Sequence, residues 1–452
     1  MNRAARFFKS ADSCQGIPVI HILYFVFILI APFVGVNFLF LLSIILFLII
    51  RFSGISFSSG RDVTSLTFSL ALMLFVSIIL GSSSYAYPFY IVLAAFAVAA
   101  VGNHKTSFSE TDPALDSSSR RYRGIKKRSF SILWSSAFLA LRIAAAFFAA
   151  SWIIYWQKLS VSYNLVFFIA VIGAVTGSLF ESIPSKIDKN ISVSLGAGMM
   201  MWIFEEFRYW VPPEEMVVAL VFSFFLGVLA YRAKIADVSA LLSAALLGVL
   251  IIVFSGLSWF LLLLTFFILG GGFTRYKYAY KESIGIGQAK DGIRSYENVF
   301  SNSTAALILA VAYGVFPEHS LPIVYAYMGT VATATGDTLA SEIGTTAKGK
   351  PRMITTLKLS EPGTDGAVSL LGELAAIFGS AAIGILAYIL GVSDNLILTV
   401  LITTAGGFFG TNVDSLLGAT LQKRSLLSNS GVNFVATFVG AGISAGLYYL
   451  IT

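Results

Sequence analysis

The chain has 452 residues, 57% apolar and only 12% charged, against about 25% charged in soluble domains, so a water-soluble globular fold is excluded. One cysteine, Cys14, and three scattered histidines, His21, His104 and His319, exclude an intrachain disulfide and a cysteine- or histidine-built metal centre. The formal charge of +7 calls for no nucleic-acid partner, because the basic residues collect in particular connections between apolar runs.

A helix needs about 20 apolar residues to cross a bilayer. On that ruler the sequence predicts fifteen spans: 17–33, 36–51, 63–81, 86–101, 130–156, 163–181, 192–207, 213–231, 236–254, 258–274, 298–316, 321–344, 368–391, 395–421 and 431–451. The run 17–51 divides at Pro32–Gly35. Arg3, Arg6 and Lys9 precede the first span, and no small-residue cleavage site follows it, so it reads as uncleaved. The expected fold is an all-α polytopic membrane protein. With the N-terminus cytoplasmic and the C-terminus outside, 27 of the 30 basic residues fall in cytoplasmic segments, as the positive-inside rule requires. Lys158 and Arg208 fall outside, and Arg142 lies within a span. The long polar connections, 102–129 and 345–367, are both cytoplasmic on this reading, and the run Arg120–Arg128 is placed to meet anionic lipid.

Two motif pairs recur. "VGNHK" (Val101–Lys105) and "TGDTL" (Thr335–Leu339) each end an inward span before a long loop. "GSLFES" (Gly177–Ser182) and "GTNVDS" (Gly410–Ser415) share the spacing Gly-x-x-x-acid-Ser. Two parallel seven-helix repeats joined by one extra helix would produce this pattern; so would the general frequency of glycine and polar residues at helix ends. In the duplication reading, Asn103 stands where Asp337 stands.

The acids gather at one depth. Asp337 and Glu342 lie in the last turns of span 321–344, Glu373 in the first turns of span 368–391, and Asp414 near the inner end of span 395–421. Carboxylates within spans face a bundle interior or an aqueous cavity and mark functional sites. Asp337 and Glu342 are about 140° apart on a helix and need not share one metal, whereas Thr338 and Glu342 share a face. Gly336 lets the backbone open or another helix approach closely. Acids, bases and glycines at headgroup level suit phosphate chemistry on a lipid. Asp337 and Asp414 are the candidate Mg²⁺ ligands, since Mg²⁺ takes one or two carboxylates and bridges phosphate oxygens. The catalytic candidates are Asp337, Glu342, Glu373 and Asp414. The candidate phosphate binders are Arg275, Lys277, Arg294, Lys350, Arg352 and Lys358, together with the turn Gly363, Thr364, Asp365 and Gly366 that opens a helix. No Walker motif occurs, and "GIGQAKDG" (Gly285–Gly292) lacks the strand that a dinucleotide fold needs.

"GGGFTRYKYAYKESIGIGQAKDGIRSYENVFSN", "GDTLASEIG", "KPRMITTLK", "EPGTDGAVSLLGELAA" and "DSLLGATLQ", in that order, make residues from about 213 to 452 resemble the phytyl-phosphate kinase-like integral membrane family. The first half is more distantly similar to the C-terminal part of dolichol and polyprenol kinases, through "ESIPSKIDKNISVSLGAG" (Glu181–Gly198). There Lys189 separates Asp188 from Asn190, and Gly102–Asn103 replaces the Gly-Asp element expected upstream. The resemblance implies three segments: 1–210, a membrane domain and degenerate kinase-like repeat; 211–235, a linking helix; and 236–452, the catalytic domain.

It also implies transfer of a phosphoryl group from CTP or ATP to a prenyl monophosphate, with Mg²⁺ as cofactor. The expected partners are the prenyl phosphate, the nucleoside triphosphate and membrane lipids. The active site would face the cytoplasm of a prokaryotic plasma membrane. A polyprenol kinase, a CTP-dependent lipid-phosphate cytidylyltransferase and a lipid or anion transporter are the competing readings. Repeat-built transporters place their sites near the midplane, and these acids lie at one face.

Overall fold

A computed structural model of the chain describes residues 19–53, 63–81, 85–101, 117–183, 187–285 and 294–452. Asn103, residues 1–18 and most of the segment 285–292 lie outside the described residues. Fifteen α-helices are present among the described residues: α1 (Val19–Ser53), α2 (Val63–Leu80), α3 (Phe89–Ala100), α4 (Ser117–Gln157), α5 (Tyr163–Ser182), α6 (Lys189–Glu206), α7 (Pro213–Arg232), α8 (Val238–Ser255), α9 (Leu257–Arg275), α10 (Tyr278–Ser283), α11 (Tyr296–Val315), α12 (Ser320–Gly344), α13 (Leu370–Ile389), α14 (Leu396–Leu417) and α15 (Asn429–Ile451). The one sheet among the described residues is a two-residue antiparallel pair, β1 (Arg352–Met353) and β2 (Ala367–Val368). The chain is an all-α polytopic membrane protein. Eleven of its described helices, with α1 counted once, are long and apolar enough to cross a membrane.

The break expected at Pro32–Gly35 is a reversal of direction. Gly35 leaves helical geometry at φ 74°, a backbone that glycine adopts without strain. Beyond it, Phe40 and Phe47 pack on Phe75 and Phe68, so this half runs antiparallel to α2. Before it, Tyr24 donates to the carbonyl of Val63 (3.4 Å), at the start of α2. Both ends of α1 therefore lie toward the same end of α2.

Residues 1–216 and 217–452 form two compact units. Each is built around one enclosed helix. In the first, α3 buries every residue from Tyr90 to Ala99 and packs against α4, α5 and α6. In the second, α12 buries every residue from Val324 to Gly336 and packs against α13, α14 and α15. In both, the three helices that follow the central one in the chain surround it. Enclosure explains why α12 tolerates threonines, Asp337 and Glu342: most of its length meets other helices, not lipid.

Its partner α13 shows the membrane pattern of small residues inward and large apolar residues outward. Gly372, Ala376, Gly379, Ser380 and Ile383 are buried, while Leu370, Leu374, Phe378 and Ile389 are exposed. Gly336 serves close approach. A Cβ there would stand 2.9 Å from both Ser380 Oγ and Thr411 Oγ1, tighter than real contacts allow. Gly336→Val is expected to lower stability by about 1–3 kcal/mol, the usual cost of overpacking, read as a fall in the melting midpoint in detergent.

Candidate functional site

Several helix ends of the second unit meet at one level. The C-terminal turns of α9, α12 and α14 and the N-terminal turns of α11, α13 and α15 enclose a polar cavity of about 330 Å³. Five carboxylates line it, Asp337, Glu342, Asp365, Glu373 and Asp414, with Arg294 as the one cation among the described residues. Gly363, Thr364 and Gly366 complete the wall, as do Asn298, Asn302, Asn429 and Asn433. The acids predicted at one depth thus share one cavity.

Their surroundings differ. Glu342 is buried and fully engaged: Thr274 Oγ1 donates to one oxygen (2.9 Å), and Lys281 forms an ion pair with the other. Glu373 accepts from Asn412 Nδ2 (3.0 Å), and Asp365 from Gln422 Nε2 (3.0 Å). Asp337 makes no side-chain hydrogen bond or ion pair among the described residues. The charges of Asp337 and Asp365 both bear on Asp414. With its amide oriented to satisfy both ends, Asn433 donates to Asp414 Oδ2 (3.1 Å) and accepts from Asn302 Nδ2 (3.3 Å). Asn302 in turn donates to the carbonyl of Asn298 (3.0 Å).

The turn before α13 is held from beneath. Ser369 caps α13 through the amide of Gly372 (3.1 Å) and donates to the carbonyl of Gly344 (3.2 Å), tying the start of α13 to the end of α12. Gly366 has φ +77°, and a Cβ on it would meet Ser415 O at 2.6 Å and the Ala419 side chain. Ala419 belongs to a π turn, Gly418–Gln422, that continues α14 past Asp414; such turns recur at functional sites. The turn Gly363–Gly366 is thereby laid against the helix that carries Asp414.

Arg294 crosses α9 with its guanidinium 5.1 Å from the Phe266 ring centroid and 5.7 Å from that of Phe267, a cation–π arrangement. Its side chain makes no hydrogen bond or ion pair among the described residues. Burial lowers its pKa to about 10, with the charge of Glu342 opposing, so it stays cationic at neutral pH. The other predicted cations are not brought to the cavity, and all five are exposed. Arg275 donates to the carbonyl of Ala233 (2.7 Å). Lys277 lies over the ring of Tyr276. Lys350 pairs with Glu361, Arg352 donates to the carbonyl of Leu357 (2.8 Å), and Lys358 gives its carbonyl to the amide of Met353. The segment 350–368 folds on itself, with Lys350 spent on Glu361 and Arg352 on a backbone carbonyl of the same segment. Sequence reasoning missed Lys281 and the four asparagines. The spacing Asn298–Asn302 and Asn429–Asn433, four residues apart in the first turns of two helices, was the signal that could have found the latter.

No cluster of three or more acid, His or Cys side chains with metal-holding geometry occurs among the described residues. Asp337 and Asp414 nevertheless fit Mg²⁺, which uses one or two carboxylates and completes its shell with water and substrate phosphate. Two interacting carboxylates without a cation partner among the described residues are the donor set such an ion needs. With five carboxylates on its wall, the cavity admits a polyphosphate only when cations mask the charge.

The profile of the integral membrane protein family DUF92 matches residues 221–441, within the second unit. An uncharacterized membrane protein of Methanocaldococcus jannaschii is 33% identical over 234 residues, 52% of this chain and 94% of that one. Protein PGR of Arabidopsis thaliana is 26% identical over 272 residues, 50% of this chain and 93% of its own. The chloroplastic protein VTE6 of the same plant is 28% identical over 210 residues, 45% of this chain and 62% of its own. No solved structure matches.

Proposed function

The chain belongs to the DUF92 family of integral membrane proteins, the phytyl-phosphate kinase-like family its motifs resemble, and on that premise we propose that its second unit phosphorylates a prenyl monophosphate from CTP or ATP. The observation that carries this reading is the pair Asp337 and Asp414, set beside Arg294 in an acidic cavity where lipid-facing helices end. An oxygen of the acceptor phosphate attacks the γ-phosphorus. The bond from that phosphorus to the β–γ bridging oxygen breaks, and the nucleoside diphosphate leaves with the electron pair. The acceptor is already anionic near neutral pH, so no general base is required, and positioning with charge stabilisation does the work.

Asp337 and Asp414 would hold Mg²⁺, which would supply neutralisation of phosphate charge. Arg294 binds a phosphate oxygen, and the Gly363–Gly366 turn with the first amides of α13 cradles another. The asparagine chain Asn298–Asn302–Asn433 fixes the orientation of Asp414. The prenyl chain lies outside the cavity along α13, where Phe378, Ala381, Ala382, Ile385, Leu386 and Ile389 form an apolar groove. The positive-inside asymmetry supports a site at the cytoplasmic face of the membrane.

The test is turnover by purified protein with prenols, prenyl phosphates and labelled nucleotides. A prenyl diphosphate together with a nucleoside diphosphate is the expected product pair. Release of inorganic diphosphate instead would identify nucleotidyl transfer, and nucleotide-independent movement of lipid across vesicles would identify transport. Chelation with EDTA is expected to abolish turnover, and Mg²⁺ to restore it.

A further inference from the structure

The segment that walls the cavity also carries a hairpin that phosphoryl transfer as described above does not use. On one side β1 pairs with β2, Arg352 opposite Val368. On the other, Arg352 faces Leu359 across an antiparallel bridge, and the chain turns tightly between them. The Leu357 amide donates to the carbonyl of Met353 (2.8 Å) and the Met353 amide to the carbonyl of Lys358 (2.9 Å), while Arg352 Nη1 donates to the carbonyl of Leu357 (2.8 Å). This turn sets Leu357 at φ 57°, a left-handed backbone that is costly for any residue with a Cβ. Of the six non-glycine residues with positive φ among the described residues, five are lysine, arginine or serine, and only Leu357 is apolar. Its side chain adds little packing within the fold, since Leu357 is 66% exposed and Leu359 62%. A turn that faced only water would be cheaper with glycine and would not display two neighbouring leucines.

Their neighbours say what covers them. Adjacent strands lie about 4.8 Å apart, so Leu359 stands about 10 Å across the sheet from Val368. Two residues after Val368 comes Leu370, where the lipid-facing side of α13 begins with Leu370, Leu374 and Phe378 exposed. The hairpin therefore continues sideways from a surface that meets acyl chains, at the level where the helix ends. Lys348 and Lys358 are exposed, and their ammonium groups take part in no hydrogen bond or ion pair among the described residues. Exposed leucines beside unspent lysines at a helix end are the composition of segments that lie in the headgroup layer against anionic lipid. We propose that the hairpin 352–359 is an interfacial anchor: Leu357 and Leu359 enter the headgroup layer on the cavity side of the membrane, and Lys348 and Lys358 bind its anionic lipids. The Ile354 amide donates to the carbonyl of Gly366 (3.0 Å), so the anchor holds the Gly363–Gly366 turn of the cavity wall at the membrane surface. The lipid contact does not rest on the kinase reading.

Cys14 is the chain's one cysteine, so Cys14→Ser gives a background for nitroxide labels at Leu357→Cys and Leu359→Cys in the full chain, reconstituted in phosphatidylcholine vesicles containing phosphatidylglycerol. Power-saturation EPR compares collisions with oxygen, which concentrates in the bilayer, and with a water-soluble nickel chelate. Leu374→Cys, on the lipid-facing side of α13, is the membrane reference, and Thr364→Cys, on the cavity wall, is the aqueous one. Labels at both leucines are expected to meet nickel about tenfold less often than the label at position 364, the factor that burial of one leucine supports, with an oxygen-to-nickel ratio near that at position 374. Ratios equal to that at position 364 would overturn the proposal. Should a label at the left-handed position 357 disturb the turn, the label at 359 decides alone. Omitting phosphatidylglycerol, or introducing Lys348→Gln/Lys358→Gln, is expected to raise nickel collisions at position 359 about fivefold, the factor for one lysine at an anionic surface. A rate that either change leaves unaltered would overturn the role of the lysines. These readouts need no turnover, so absent kinase activity with the expected collision pattern counts against the function alone.

Discussion

Asp337→Asn is expected to lower phosphoryl transfer by about a hundredfold to a thousandfold, the loss typical of removing one charge-stabilising group at a transferring centre, while leaving the protein at least as stable as wild type. The side chain keeps its size and loses its charge. Asp337 makes no ion pair or side-chain hydrogen bond among the described residues, so nothing in the fold is left without its partner. It also stands in a cluster where Asp337 and Asp365 both act on Asp414, and removing one negative charge relieves repulsion. Lost turnover with an unchanged or raised melting midpoint is therefore the signature of a functional carboxylate. Glu342→Gln gives the contrast, because it strands the buried Lys281 and is expected to lower the midpoint. Wild-type turnover in Asp337→Asn would remove Asp337 from the mechanism.

That contrast was only half legible in the sequence. Hydropathy gave the depth of Asp337, Glu342, Glu373 and Asp414, because a charged residue near the end of an apolar run has few places to go. It could not say which acid is neutralised within the protein. Lys281 sits in the basic run between Arg275 and Arg294, where positive-inside bias makes any one lysine unremarked. The same bias made Lys350, Arg352 and Lys358 look like phosphate binders, although all three are exposed and the first two are spent on Glu361 and on the Leu357 carbonyl. Arg294 reaches the cavity because Gly270 opens a path over α9, a tertiary fact that no local spacing encodes. The reversal at Gly35 was legible, since Pro32 and Gly35 interrupt a run too long for one crossing. The enclosure of α12 was not, because hydropathy treats its threonines as a weak span and does not see the helices that surround it.

Gly366→Val is expected to raise the KM for nucleotide by more than about tenfold while moving the melting midpoint little. The backbone at φ +77° costs an L-residue roughly 1–2 kcal/mol, and a β-branched one more. The added side chain would also collide with the Ser415 carbonyl and Ala419 on the π turn of α14. Neither obstacle can be relieved by a rotamer change, because both involve main chain. The turn must therefore lift. Lifting breaks the bond from the Ile354 amide to the Gly366 carbonyl (3.0 Å) and carries Gly363, Thr364 and Asp365 away from Asp414. The bundle of α12–α15 is packed below this level, so its stability is spared. Increased amide exchange confined to about residues 351–368 should accompany the KM effect, since local opening exposes only the bonds of the unit that moves. Gly349→Ala, on the same loop with nothing within 4 Å of the added Cβ, is the matched control and should leave both measurements unchanged. Equal effects of the two substitutions would mean that the loop tolerates no side chain anywhere, and that the docking of Gly366 on α14 does not set the site.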